Sequence, residues 1–170
     1  MKHTHWAIGT LVTAIGISGQ AAAVDRQHSS FHGAVGVCQA PLPSFEGAFR
    51  KRPLGIANEG GSTAFISCAL SAQTVNSPGI HLLLVFFINR GAANAKVSCT
   101  LINGLASPLG VPSFFPKTAF TTGGNQVIGV TWRQDDNGGT PFIAPSISCA
   151  IPPGVEINAT QIFYDIDVGA

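Results

Sequence analysis

The sequence predicts an all-β fold: a disulfide-stapled antiparallel β-sandwich of Ig-like architecture, with about seven to nine strands. Three observations carry this. Short alternating or apolar segments recur between Gly/Pro-rich turns, no long helical periodicity follows the first two dozen residues, and the four cysteines are widely spaced.

The leading stretch is set aside first. Lys2, His3 and His5 make a mildly basic start, Ala7–Gly19 is uncharged and apolar, and Gln20-Ala21-Ala22-Ala23 supplies an Ala-x-Ala site. This is the three-part pattern of a bacterial-type secretory signal spanning 1–23, cleaved after Ala23. The apolar run is short for a transmembrane helix, so no membrane span is expected after cleavage. The product is expected to be secreted or periplasmic.

Nine Lys and Arg face eight Asp and Glu across 170 residues. Loss of Lys2 leaves the charges balanced. Nucleic-acid binding, which needs a basic footprint, is not expected. Only 10% of residues are charged, against the usual quarter. The surface is therefore weakly self-repulsive, which suits assembly.

Residues 24–36 (VDRQHSSFHGAVG) are small, polar and glycine-containing, and read as a flexible N-terminal segment; 37–170 reads as a single domain. Within 24–37, Phe31, Gly33, Val35 and Val37 alternate, as a donated strand or a first strand of the domain's own sheet would. Ala40–Pro53, with Pro41, Pro43 and Pro53 around Arg50-Lys51-Arg52, has loop composition.

Three segments then share one pattern, apolar–Ser–Cys–small–apolar: Ile66–Leu70, Val97–Leu101 and Ile147–Ile151. Alternation places the Cys and the aliphatic residues on one face of a strand, and Ser with the small residue on the other. Cys38, Cys68, Cys99 and Cys149 form no CxxC pair, so metal and reactive-thiol readings are unsupported. Two disulfides are expected in an oxidising compartment. Pairing sequence neighbours gives Cys38–Cys68 and Cys99–Cys149, although spacing alone allows three connectivities.

Ile80–Asn89 (IHLLLVFFIN) is almost continuously apolar and suits a central strand covered on both faces. Its β-branched and aromatic content favours strand over helix. Arg90–Asn94 reads as a hairpin loop and Asn103-Gly104 as a tight turn. Ser107–Pro116, broken by three prolines, reads as irregular. Ala119–Thr121 and Gln126–Arg133 read as strands split by Gly123-Gly124-Asn125. Asp135–Gly139 is a turn before Phe142–Ile151, and Gln161–Val168 is the last strand. A membrane β-barrel fits less well, because Ile80–Ile88 lacks the alternation that a barrel strand needs.

No constellation carries chemistry. His28 and His32, four apart, would share a metal only on a helix. His81 opens an apolar strand. Gly61-Ser62-Thr63 is a turn, and no nucleophile elbow is present. The carboxylate pairs Asp135/Asp136 and Asp165/Asp167 sit in a turn and on the wet side of a strand; neither spacing specifies catalysis. Asp135, Asp136 and Asn137 lack the rest of a calcium loop. Asn158-Ala159-Thr160 fits a glycosylation sequon that matters only in a glycosylating host.

The sequence therefore points away from an enzyme and implies no cofactor or metal. It leaves two expectations. One is an exported structural or adhesion-type module that self-assembles or meets a protein partner. The alternative is a ligand- or protein-binding module, inhibitor-like, using the Pro-rich loops Ala40–Pro53 and Ser107–Lys117. In that case Phe114 and Phe115 would be the candidate partner contacts.

Overall fold

The computed structural model describes residues 25–70, 79–105 and 110–167. The signal-like stretch 1–23 lies outside them, as do Ser107, Pro108 and Val168.

Among the described residues eleven strands occur in the order β1 (Asp25–Gly33), β2 (Cys38–Gln39), β3 (Phe49–Arg52), β4 (Gly55–Asn58), β5 (Ala64–Ala69), β6 (Ile80–Asn89), β7 (Ala95–Asn103), β8 (Ser113–Thr121), β9 (Gln126–Arg133), β10 (Ser146–Ile151) and β11 (Val155–Asp167). Single helical turns, α1 (Ala34–Val37) and α2 (Pro43–Glu46), and a 3-10 turn at Gln134–Asn137 complete the described elements. All strand pairs are antiparallel. The larger sheet runs β3-β4-β11-β6-β9, with β1 added to β11; the smaller runs β2-β5-β10-β7-β8. The predicted two-sheet sandwich is what forms, with more strands than expected.

The shared Cys-containing pattern explains the smaller sheet. Its three copies become β5, β7 and β10, which lie side by side. Alternation turns Ile66, Cys68, Val97, Cys99, Leu101, Ile147, Cys149 and Ile151 into the core, where all are almost fully buried. Disulfides join Cys38 to Cys68 and Cys99 to Cys149. In each, the two residues face one another directly across adjacent strands, β2 against β5 and β10 against β7. Both bridges therefore staple one sheet laterally, and neither ties the two sheets together.

The sheets are joined by packing and by side-chain hydrogen bonds. Trp132, Phe87 and Phe142 are buried between them. Trp132 on β9 donates its indole N–H to the Phe115 carbonyl on β8, 2.8 Å away. Lys117 Nζ donates to the Thr131 carbonyl at 2.8 Å and to Asp136 Oδ2 at 2.6 Å. These bonds close the side where edge strands of different sheets meet and no backbone ladder exists.

At one end of the sandwich, two fully buried asparagines repeat one device. Asn58 Oδ1 accepts from Gly60 N–H, and its amide donates to the carbonyls of Ser62 and, in the other sheet, Ile151. Asn89 Oδ1 accepts from Gly91 N–H and its amide donates to the Ala93 carbonyl. Each side chain folds the loop that follows its strand.

Several segments differ from their sequence reading. Asp25–Gly33, read as flexible, is a strand with nine partners on β11. Its polar side chains conceal a backbone that finishes the sheet, since edge strands need only one ladder. Arg50-Lys51-Arg52, read as loop, belongs to β3. Ser113–Pro116, read as irregular, opens β8. Pro116 is tolerated because β8 is an edge strand paired only with β7.

Candidate interaction surface

Of the candidate catalytic and metal residues, His81, Asp135 and Asp165 line one surface pocket with Gln27, Leu82, Arg133 and Gln134, and the others lie apart from it. His28 and His32 lie on β1, about 13 Å apart at strand rise. His28 stacks on Tyr164, and His32 hydrogen-bonds Ser30. Asp135 and Asp136 occupy the 3-10 turn. Burial pushes the Asp136 carboxyl up, but the Lys117 ammonium and the Arg133 backbone N–H outweigh it, and the net shift is downward. His81 Nε2 lies 3.4 Å from Asp165 Oδ1 at the end of the larger sheet. Among the described residues, no three His, Cys, Asp or Glu side chains gather as metal ligands. The sequon residues are half-buried or buried within β11; Asn158 donates to the Leu54 carbonyl and to Glu156.

The strand pattern separates the two candidate contact residues. Phe115 turns inward, packs edge-on against Phe142 with ring centres 5.5 Å apart, and contacts the core. Phe114 turns outward and is 60% exposed. Phe120, six residues along the same strand, is 75% exposed on the same side. Arg50, Lys51 and Arg52 are solvent-exposed on β3, and Arg50 and Arg52 both approach Glu59.

The feature that sequence reading missed is the outer face of the larger sheet. On β6, Leu83, Val85 and Phe87 face the core and are fully buried, so Leu82, Leu84, Phe86 and Ile88 face away. The register sets Val127 and Gly129 of β9 beside Ile88 and Phe86, and Phe163 of β11 beside Leu82. Phe31 of β1 stands opposite Gln161, and its ring centre lies 6.2 Å from that of Phe86. Phe31 and Val127, at 65% and 60% exposure, form the two sides of this apolar field. Among the described residues no element lies over it. The signal was in the sequence, because every position of Leu82–Ile88 is apolar. It was read as requiring cover on both faces, and the fold supplies one.

Charged groups border the field at both ends. At one corner Glu156, fully buried, receives Arg90 Nε at 2.6 Å and Nη2 at 3.2 Å, and the Asn158 amide at 2.7 Å. The Glu156 hydrogen bond and charge raise the Arg90 pKa. Arg50 and Arg52 lie beside this pair, across β4. At the opposite end lie Asp165, His81 and Arg133, with Asp25 at the start of β1.

No protein-family model and no curated protein sequence matches the chain. Among solved structures, it is similar to a "Family 16 Carbohydrate Binding Module-2" at 12% identity and a TM-score of 0.38, over 81% of this chain and 91% of that one. It is also similar to a structure described as "CBM4 structure and function", at 10% identity and a TM-score of 0.35, over 84% of each chain. A third likeness is to the exo-β-1,3-galactanase of Phanerochaete chrysosporium bound to galactose, at 13% identity and a TM-score of 0.36. The match covers 84% of this chain and spans 29% of that enzyme. Likenesses this distant carry no function across to this chain. The two disulfides fit an oxidising compartment. No helix among the described residues is long and apolar enough to cross a membrane.

Proposed function

We propose that this chain is an exported, non-catalytic β-sandwich module of structural or adhesion type that works by surface contact. One observation carries the reading: an apolar field on the outer face of the larger sheet, with Phe31 and Val127 mostly exposed. Apolar surface of this kind, here broken by Gln161 and Thr131 beside Leu84, is characteristic of protein contact sites. The non-catalytic part is supported by the place where candidate acids and a base do meet: the pocket that His81, Asp135 and Asp165 line has no Ser, Thr or Cys among its lining residues to serve as a nucleophile.

The test is a photo-crosslinking residue placed at Val127 in producing cells, with the same residue at Asn137 as control. A protein adduct specific to position 127 is the expected result. Absence of adducts at both 127 and 31 from correctly folded protein would remove the surface-contact reading. Turnover of a glycan, ester or peptide substrate by the purified chain would remove the non-catalytic one.

A second reading is favoured by Phe114 alone. Its exposure on the outer face of β8 suits an anchor for an inhibitor-like binding module. If Phe114→Ser abolished an adduct that Phe31→Glu left intact, this reading would replace the first.

A further inference from the structure

We propose that the partner on the outer face of the larger sheet is a second copy of this chain, docked face to face about a two-fold axis that crosses the strands. The inference rests on the surface-contact reading and names the occupant and its orientation.

The first argument is the mismatch between β6 and its surroundings. A continuous apolar run is the mark of a strand buried on both faces. β6 is central, between β11 and β9. Its inner residues are sealed in the core, whereas Leu82, Leu84, Phe86 and Ile88 are only half-buried among Phe31, Phe163, Val127 and Ala159, with Arg133, Thr131, Gln161 and Glu156 also opposite them. A second sheet packed about 10 Å away would supply the missing layer.

The second argument is size. The field spans four strands, β1, β11, β6 and β9, about 4.8 Å apart, and six residue steps of about 3.4 Å from Leu82 to Ile88. That is about 300–400 Å² in projection. A standard interface buries about 800 Å² per partner, with an apolar centre and a polar rim. The field supplies the centre and the flanking charged ends supply the rim.

The third argument, charge, selects the partner and the axis. At the β3 corner Arg50, Arg52 and Arg90 outnumber Glu59 and Glu156 by one. At the far end Asp25, Asp135 and Asp165 outnumber Arg133 by two. Arg26 falls on the other side of β1 by strand alternation. A two-fold axis along the strands would set each end against its own kind. An axis across the strands sets each basic corner against the partner's acidic end, twice, with the apolar centres superposed. An isologous contact requires a surface complementary to itself in this way. The low overall charge, with a formal net of +1, leaves little general repulsion between copies.

The test uses the exported chain, sedimentation velocity and native mass spectrometry over a range of concentrations. The wild type is expected to dimerise. Phe31→Glu/Val127→Glu, at two exposed positions, is expected to be monomeric with the far-ultraviolet circular dichroism of a folded β-sandwich, and to melt below the wild type by the stabilisation that association supplies. Asp25→Arg/Asp165→Arg and Arg50→Glu/Arg52→Glu are each expected to self-associate about tenfold more weakly than wild type. Mixed one to one, they should recover the dimer, because both contacts are then complementary. A wild type monomeric up to its solubility limit overturns the proposal, and so does a dimer indifferent to Phe31→Glu/Val127→Glu. Failure of the mixture to recover overturns the antiparallel arrangement. A monomeric wild type that still forms a Val127 adduct with an unlike protein overturns the second copy while sparing the surface-contact reading. The same holds for an adduct with the chain's own residues before Asp25.

Discussion

Replacing Asn58 by Ala is expected to cost about 3 kcal/mol, although the residue is part of neither disulfide. The side chain is fully buried and makes three hydrogen bonds: to Ser62 O at 2.9 Å, to Ile151 O at 2.7 Å and from Gly60 N at 2.9 Å. Ala supplies none, and it leaves two carbonyls and one N–H without this partner. At about 1 kcal/mol for each lost bond the total is about 3 kcal/mol. For a chain of this size that corresponds to a fall of about 6–12 °C in melting temperature. The Ile151 bond is the unusual one, because it reaches from β4 in one sheet to β10 in the other. Asn137→Ala provides the comparison. Its amide donates to Thr140 O from an exposed turn, and loss there should stay within about 0.5 kcal/mol. The assay is urea unfolding of both variants beside wild type, with midpoints compared at a common slope. A loss below about 1 kcal/mol for Asn58→Ala, or equality with Asn137→Ala, would refute the account of how the sheets are fastened at this end. Asn58→Asp sharpens the test. It keeps the acceptor for Gly60 but aims carboxylate oxygens at two carbonyls, so at neutral pH it should be no better than Ala.

Other variants probe the remaining polar devices. Arg90→Ala strands the buried Glu156 carboxylate with the Asn158 amide as its one side-chain donor. It should therefore destabilise more than Glu156→Gln, which keeps a neutral group in place; chemical denaturation of the two variants ranks them. The lowered pKa of Asp136 gives a definite sign. A depressed folded-state pKa contributes stability that is present above the unfolded carboxylate value near 4 and lost as pH falls through the folded one. Wild type should thus lose more stability than Asp136→Asn as pH falls below about 4, in thermal melts across that range. A Cβ on Gly123 would sit 2.4 Å from the Ala92 carbonyl oxygen, so Gly123→Ala should lower the melting temperature by several degrees. Removing the Cys99–Cys149 bridge, with 50 residues between its ends, should cost about 4 kcal/mol by loop-closure entropy. The 30-residue Cys38–Cys68 link should cost slightly less, which paired Cys→Ala variants would show.

The smaller sheet was legible because its information is local. Each Cys-containing segment states its own alternation, and three strands of one pattern can lie together with all their Cys inward. The short strands were not legible, since β4 is held by β11, a partner distant in sequence, and β3 in turn is held by β4. Gly55 is needed because a Cβ there would sit 2.5 Å from the Ile157 carbonyl oxygen, a contact about a hundred positions away. β1 was hidden for a related reason: its polar, exposed residues say little, and its identity comes from nine backbone partners at the other end of the chain.

The candidate site was half legible, and β6 shows why. Composition can state how much burial a strand asks for, but not who provides it. Within one domain, a central strand of a two-layer sandwich obtains a single buried face. A sequence that is apolar on both faces asks for more than this fold can give, and the excess falls on Leu82, Leu84, Phe86 and Ile88. Selection for solubility alone would place polar residues at those four positions at little structural cost, as the outer face of the smaller sheet does with Ser67, Ser98 and Ser148. The smaller sheet sets exposed Phe65, Phe114 and Phe120 beside those serines on its own outer face, so what distinguishes the larger sheet is the unbroken row of four outward apolar residues on its central strand.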